Sequence, residues 1–381
     1  MTEQGSYCGE LGAHMELTDN RSIIRKHLIT FVIVAYGLSF LMMIPMYIGK
    51  QNGLDVTQAA DAMMCSPAAG VALGFLLFYK DEKRVPKMFM WVLVINYVVQ
   101  LLLGILSLVA NPFAPDEMIT LEEGVDFPIG TIYLLIGQLA LIAGSVLLWI
   151  GYFIAKKEGR RFAGLSRNNE KKGIVLILLF IGLYMVRIFA PVILDGAVNG
   201  KMSEYACQYS ELLKNPLFYL ALVSTPFNYP LVIIAFLGEE YGWRGFLQPL
   251  MQKKFGMRLG VILLGVVWGL WHIPADTLFY TNDSAVQMIL GQIITCVAMG
   301  IFFGYAYLKT NNIWIPVAMH FLNNNLMPVL SGALSADVLQ EQHVTWQDLV
   351  LILIIDLIVF CPFILTKVYK EKKENKEAVN A

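Results

Sequence analysis

The fold this sequence predicts is an all-α, polytopic transmembrane helical bundle of about ten spans, with both termini cytoplasmic. Three observations predict it. Of 381 residues, 57% are hydrophobic and only 15% charged, against roughly 25% charge in a soluble globular chain. The apolar residues gather into blocks of about 20, the length that crosses ~30 Å of hydrocarbon as a helix. Lysine and arginine crowd into alternate connections, as the positive-inside rule requires of cytoplasmic loops.

The blocks run over 28–48, 59–79, 88–110, 132–155, 173–194, 217–252, 259–274, 286–308, 312–330 and 349–366. The first follows a polar segment holding Arg21, Arg25 and Lys26 and is too long for a signal-peptide core, so no cleavable signal is expected. With the N-terminus inside, only Lys50, Lys201 and Lys214 of the 28 Lys and Arg fall in outside loops, and Arg187 lies within a block. The outside segment 111–127, with Asp116, Glu117, Glu122, Glu123 and Asp126, reads as a solvated loop. The charged tail KVYKEKKENKE reads as an anchor at the lipid headgroups.

Other classes are excluded early. A net charge of −1 leaves no basic excess for nucleic acid. Cys8, Cys65, Cys207, Cys296 and Cys361 show no pairing pattern. Cys65, Cys296 and Cys361 sit in or beside apolar blocks, where a thiol behaves as a small hydrophobe. His14, His27 and His343 fall outside the blocks and receive no role. A transporter would also bury charges at mid-depth, but no repeated half with matching broken helices is present.

A charge near the bilayer centre costs at least ~2.5–3.5 kcal/mol on insertion scales, so each needs a partner or a purpose. Such residues concentrate in the sixth, seventh and ninth blocks. Glu239, Glu240 and Arg244 lie in the sixth, His272 ends the seventh, and His320 and Asn324 share the ninth. Glu240 precedes Lys253, and His272 follows Leu259, by similar stretches, so an antiparallel hairpin places both roughly 20 Å from its turn. Glu240 and Arg244 stand one helical turn apart and are expected to pair. Glu239, rotated by about 100°, is left to act as a base. His320 and Asn324 likewise share a face. Pro226 and Pro230 are expected to break the entry to the sixth helix and so open a way in for substrate. Trp243, Trp268 and Trp271 read as packing or interface residues, and Asn323 and Asn325 as interhelical hydrogen-bonders.

These groups suit hydrolysis. Glu239 and His272 would deprotonate a water, and His320 and Asn324 would hold the oxyanion formed at a peptide carbonyl. Water is the expected nucleophile, because no serine or cysteine neighbours either histidine in sequence. No cofactor is expected. The alternative is a zinc ion held by Glu239, His272 and His320. Arg187 and Asp356, further charges inside the fifth and tenth blocks, are expected to pair with each other.

At these residues the sequence resembles the CAAX-processing and bacteriocin-processing (CPBP) intramembrane protease family, bacterial type. The resemblance rests on Glu239-Glu240 with Arg244, Trp268 with His272, and His320 with Asn324, in the text EEYGWRGFLQPL and WGLWHIP. Many members carry Phe where Trp268 stands. The resemblance implies a glutamate-dependent endopeptidase whose site opens near the cytoplasmic leaflet, in a family long labelled metalloprotease. Some members are regarded as immunity or scaffold proteins, which is the competing reading. The chain then divides into a cytoplasmic segment 1–27, accessory helices 28–216, a catalytic core 217–330, and a last helix with basic tail 331–381. The expected partners are membrane lipid and a membrane-associated protein or peptide substrate, such as a leader peptide rather than a prenylated protein, in a bacterial cell membrane.

Overall fold

The computed structural model describes residues 20–113, 118–122, 125–331, 340 and 342–370, and within 110–131 the backbone alone. All ten apolar blocks are helical, and the fold is an all-α bundle. In chain order, α1 is Arg21–Gln51, α2 Thr57–Phe78, α3 Lys87–Phe113, α4 Ile129–Ile154, α5 Lys157–Phe162, α6 Glu170–Val198 and α7 Met202–Lys214. Then follow α8 Pro216–Phe255, α9 Met257–Trp271, α10 Ile273–Leu278, α11 Ala285–Thr310, α12 Trp314–Leu330 and α13 Trp346–Val359. Eight described helices are long and apolar enough to cross a membrane, with α9 and α10 counted together. The chain is therefore a multi-pass integral membrane protein. The ninth and tenth blocks make shorter helices of 17 and 14 residues, the latter running on into 3₁₀ turns at Cys361–Leu365 and Lys367–Tyr369.

Local chemistry sets the helix ends. Asn20 and Asn215 cap α1 and α8 by accepting the Ser22 and Leu217 N–H groups. Thr345 and Asp348 form a capping box at α13. Gly256, at φ 82°, makes the turn from α8 into α9, a conformation that costs glycine nothing. Large apolar side chains such as Leu139, Phe153, Phe227 and Ile358 point outward, as a lipid solvent permits.

Helix α8 runs through the centre, packed on α2, α4 and α12, while α9 packs on α11. Gly265 and Gly269 of α9 face α11. A Cβ on Gly265 would come within 2.4 Å of Val297 Cα, and one on Gly269 within 2.6 Å of Ile293 Cα. Small residues let membrane helices approach this closely. Polar side chains tie other helices. Gln58 of α2 donates to Gln100 of α3 (2.6 Å), which donates to the Gly137 carbonyl of α4 (2.9 Å).

Four expectations change. Pro226 and Pro230 do not break α8, which continues through both. Helix α4 supplies partners there: Ser145 Oγ accepts the Ile234 N–H (3.3 Å) and Trp149 donates to the Pro230 carbonyl (3.1 Å). His27 lies inside α1 rather than before it, buried with Nε2 2.9 Å from the Val71 carbonyl. The segment read as a solvated loop contains an antiparallel hairpin, Met118–Glu122 with Val125–Pro128. The tail begins packed, since Tyr369 is buried and donates to the Ile301 carbonyl (2.7 Å). Asp116, Glu117, Glu123, Cys8, His14 and residues 371–381 lie outside the described residues.

The charges inside α6 and α13 do meet. Arg187 Nε donates to Asp356 Oδ1 at 2.8 Å, and Nη2 reaches Thr295 Oγ1 at 2.8 Å. Asp356 is buried and the Arg187 side chain is 21% exposed. Truncating one partner strands the other charge in a low-dielectric setting. Arg187→Met and Asp356→Asn should each destabilise the purified protein, and the double variant should recover about 0.5–3 kcal/mol of the summed loss. Strictly additive losses in a thermal double-mutant cycle would show that the pair is not coupled.

Candidate active site

The site is built where α8 changes its winding. Glu239 and Glu240 end its first α-helical stretch, and Tyr241–Leu247 follow as π-helix. Such bulges recur at functional sites because the wider turn re-aims side chains. Here the pair diverges. Glu240 has no exposure, and its Oε1 accepts from Arg244 Nη1 (3.3 Å) and lies 2.9 Å from His320 Nδ1. Arg244 Nε stands 3.2 Å from Glu240 Oε2, an ion-pair contact without hydrogen-bond alignment. The guanidinium also lies 4.1 Å from the Trp268 ring centroid, in cation–π contact.

Glu239 turns the other way. Its Oε2 accepts the Trp268 indole N–H at 2.8 Å, with Trp243 Nε1 at 3.4 Å, and its Oε1 lies 3.9 Å from His320 Nε2. Helix α9 ends at His272, where Pro274 starts the short α10. His272 Nδ1 is 2.9 Å from the Trp268 carbonyl. A carbonyl only accepts, so Nδ1 carries the proton and Nε2 keeps its lone pair. Trp268 therefore holds both groups, Glu239 through its indole and His272 through its backbone. Sequence reading had placed this residue in packing; the direction of an indole N–H is invisible before the helices are assembled.

On α12, His320 Nδ1 donates to Glu240, which leaves Nε2 facing Glu239. Asn324 Oδ1 accepts from Asn323 Nδ2 (2.7 Å), so the Asn324 amide N–H₂ is left to donate. Asn325 donates to the Phe321 carbonyl within its own helix, and Tyr184 donates to the Asn323 carbonyl (2.7 Å). Glu239, His272, His320 and Asn324 all line one cavity of about 650 Å³, while Glu240 and Arg244 lie behind its wall. Two further cavity residues received no role from the sequence, although Asp61, a charge inside the second apolar block, carried the same signal as the others. Asp61 of α2 accepts from Gln138 of α4 (2.7 Å). Cys296 of α11 brings Sγ within 3.8 Å of His272 Nδ1, a neighbour that sequence distance concealed. That nitrogen already donates to a carbonyl, so it cannot take a proton from the thiol.

The zinc alternative would draw on Glu239, His272 and His320. Among the described residues no three His, Cys, Asp or Glu side chains are grouped to hold a metal ion. His320 and His272 each hold Nδ1 on a protein acceptor, Glu240 and the Trp268 carbonyl, which leaves Nε2 as the donor atom each could offer.

A bundle of membrane-spanning helices enclosing a buried glutamate–histidine centre defines a class, the polytopic membrane proteins with a polar site sunk below the surface. Comparison with known proteins narrows it. Residues 217–326 match the family of type II CAAX prenyl endopeptidase Rce1-like proteins. The CAAX prenyl protease 2 of Methanococcus maripaludis is 27% identical over 210 residues, covering 51% of this chain and 71% of that protein. No solved structure matches the chain. Over these stretches the chain is similar to type II CAAX prenyl endopeptidases.

Proposed function

We propose that the chain is an endopeptidase that hydrolyses a peptide bond of a membrane-associated protein or peptide by activated water. The observation that carries this is the shared anchoring of Glu239 and His272 by Trp268 at the wall of a cavity that His320 and Asn324 also line. Glu239 Oε1 and His272 Nε2 are the two acceptors left to hold a water, and one of them takes its proton as the oxygen attacks the carbonyl. The carbonyl oxygen becomes an oxyanion, met by the Asn324 amide and by His320 Nε2 when that histidine carries its second proton. Glu240 keeps His320 oriented through Nδ1, and Arg244 balances the charge of Glu240. Collapse of the intermediate breaks the C–N bond, and the proton taken from water passes to the leaving amine. Each step uses groups of this chain alone.

The relative is named as a CAAX prenyl protease. For this chain the substrate we propose is a leader peptide or a membrane-anchored protein, and the setting a bacterial cell membrane with both termini in the cytoplasm.

The test sets water against Cys296. Purified Cys296→Ala should cleave a membrane-anchored reporter peptide within about threefold of the parent, because Cys296 lies against the donating nitrogen of His272. A trapped acyl-cysteine adduct, or cleavage falling to background in this variant, would overturn water as nucleophile. A parent protein no faster than its Glu239→Gln variant on every reporter would overturn the hydrolase reading itself.

A further inference from the structure

The cavity is one-sided. From the glutamate–histidine centre at mid-depth it extends toward a single end of the bundle. Its walls at that end come from Thr57 at the start of α2, Tyr280 after α10, Gln287 in the first turn of α11, and Gln342 and Val344 before α13. No described residue lining it comes from the opposite connections, 79–86, 155–169, 248–258 or 305–313. Those connections hold the crowded lysines and arginines, including Arg84, Arg160, Lys253 and Lys254. Only Lys50, Lys201 and Lys214 belong to the loops at the cavity end. The positive-inside rule assigns the crowded face to the cytoplasm.

The two ends also differ in how they are closed. At the basic end Gln248 and Gln252 are buried, the Tyr241 hydroxyl donates to the Ala163 carbonyl (2.8 Å), and Trp314 donates to the Leu165 carbonyl (3.0 Å). Packed side chains and loop carbonyls plug this route from the cytoplasm. At the cavity end the described residues pack an apolar cluster around Val56, Ala59, Ala275 and Phe279, and the segment before α13 adds polar contacts. Gln340 donates to Thr57 Oγ1 (2.8 Å), the Gln342 N–H to the Tyr280 carbonyl (2.8 Å), and the Val344 N–H to Ser284 Oγ (3.0 Å). His343 lies 2.9 Å from Asp283 in the same contact, which holds that carboxyl below its usual pKa.

We infer that substrate enters from the extracytoplasmic side. The peptide segment cut is one displayed outside the membrane, such as an exported peptide or the outer portion of a membrane-anchored protein. This deepens the hydrolase reading and rests on it for the cutting, but the side of entry stands on the cavity and the charge distribution alone. It departs from the cytoplasmic opening that the family resemblance implies.

The experiment reads the side and the chemistry separately. In intact cells making the full chain with Cys8→Ser and Cys207→Ser, Gln287→Cys and Lys254→Cys are each exposed to a membrane-impermeant maleimide. Gln287→Cys should label from outside, and Lys254→Cys only after permeabilisation. The reverse pattern overturns the inference. A bulky maleimide on Gln287→Cys should then slow cleavage of a reporter displayed outside at least tenfold relative to the same variant unlabelled. Cleavage by the parent of a reporter confined to the cytoplasm, with the outside reporter spared, also overturns it. If neither reporter is cut faster than by Glu239→Gln, the hydrolase reading fails while the labelling still decides the side.

Discussion

Glu239→Gln should reduce peptide cleavage by about 10²–10⁴-fold, the range a positioned general base supplies, while the protein stays folded. The two effects separate because of what Glu239 touches. The Trp268 and Trp243 indoles only donate, and both point at Oε2. A glutamine placing its carbonyl oxygen there keeps both hydrogen bonds and the shape of the residue. Its amide group then takes the place of Oε1, near His320 Nε2. An amide is not basic, so water in the cavity loses one of its two proton acceptors. His272 Nε2 remains, which is why some residual rate is expected. Single-turnover cleavage measures the loss, and thermal unfolding in detergent checks the fold. Undiminished cleavage in a folded variant removes Glu239 as the base. Loss of cleavage together with intact biological function favours a scaffold or immunity role for the polar core.

Arg244→Leu should be the most destabilising single change in this region, by about 3–5 kcal/mol, the cost of removing one partner from a buried ion pair. Arg244 and Glu240 both have no exposure, so water cannot replace the lost charge. The guanidinium also bridges to the Trp268 and Phe303 rings at 4.1 and 5.3 Å, and leucine forfeits that contact. Arg244→Lys should recover only part of the loss, because an ammonium lacks the planar fork that spans carboxylate and ring together. Neutralising both partners, as Glu240→Gln with Arg244→Leu, should restore more stability than Arg244→Lys does. Unfolding in mixed micelles measures this. A single Arg244→Leu variant within 1 kcal/mol of the parent would mean that Glu240 finds another partner. Cleavage should fall as well, since Glu240 also orients His320.

Much of the candidate site was legible because its pieces are local. Glu240 and Arg244 are one turn apart on the same helix, as are His320 and Asn324, and helical geometry brings such residues to one face wherever the helix lies. The Arg187–Asp356 pair was legible for another reason. Two opposite charges at similar depth in lipid are each too costly to leave alone. The prolines misled, because their local rule is to disrupt a helix, yet α8 continues through both.

The membrane class and the segments that cross it follow from the sequence by itself, since bilayer thickness dictates the length and polarity of each apolar block. So do the residue types at the centre, because lipid tolerates charge only where something compensates it. The assembled helices alone decided that Trp268 holds both Glu239 and His272, that Cys296 lies beside His272, and toward which end the cavity extends. Those outcomes depend on how far each helix is rotated about its axis and slid against its neighbour. Packing between distant segments sets both quantities, and no run of residues within one helix encodes them.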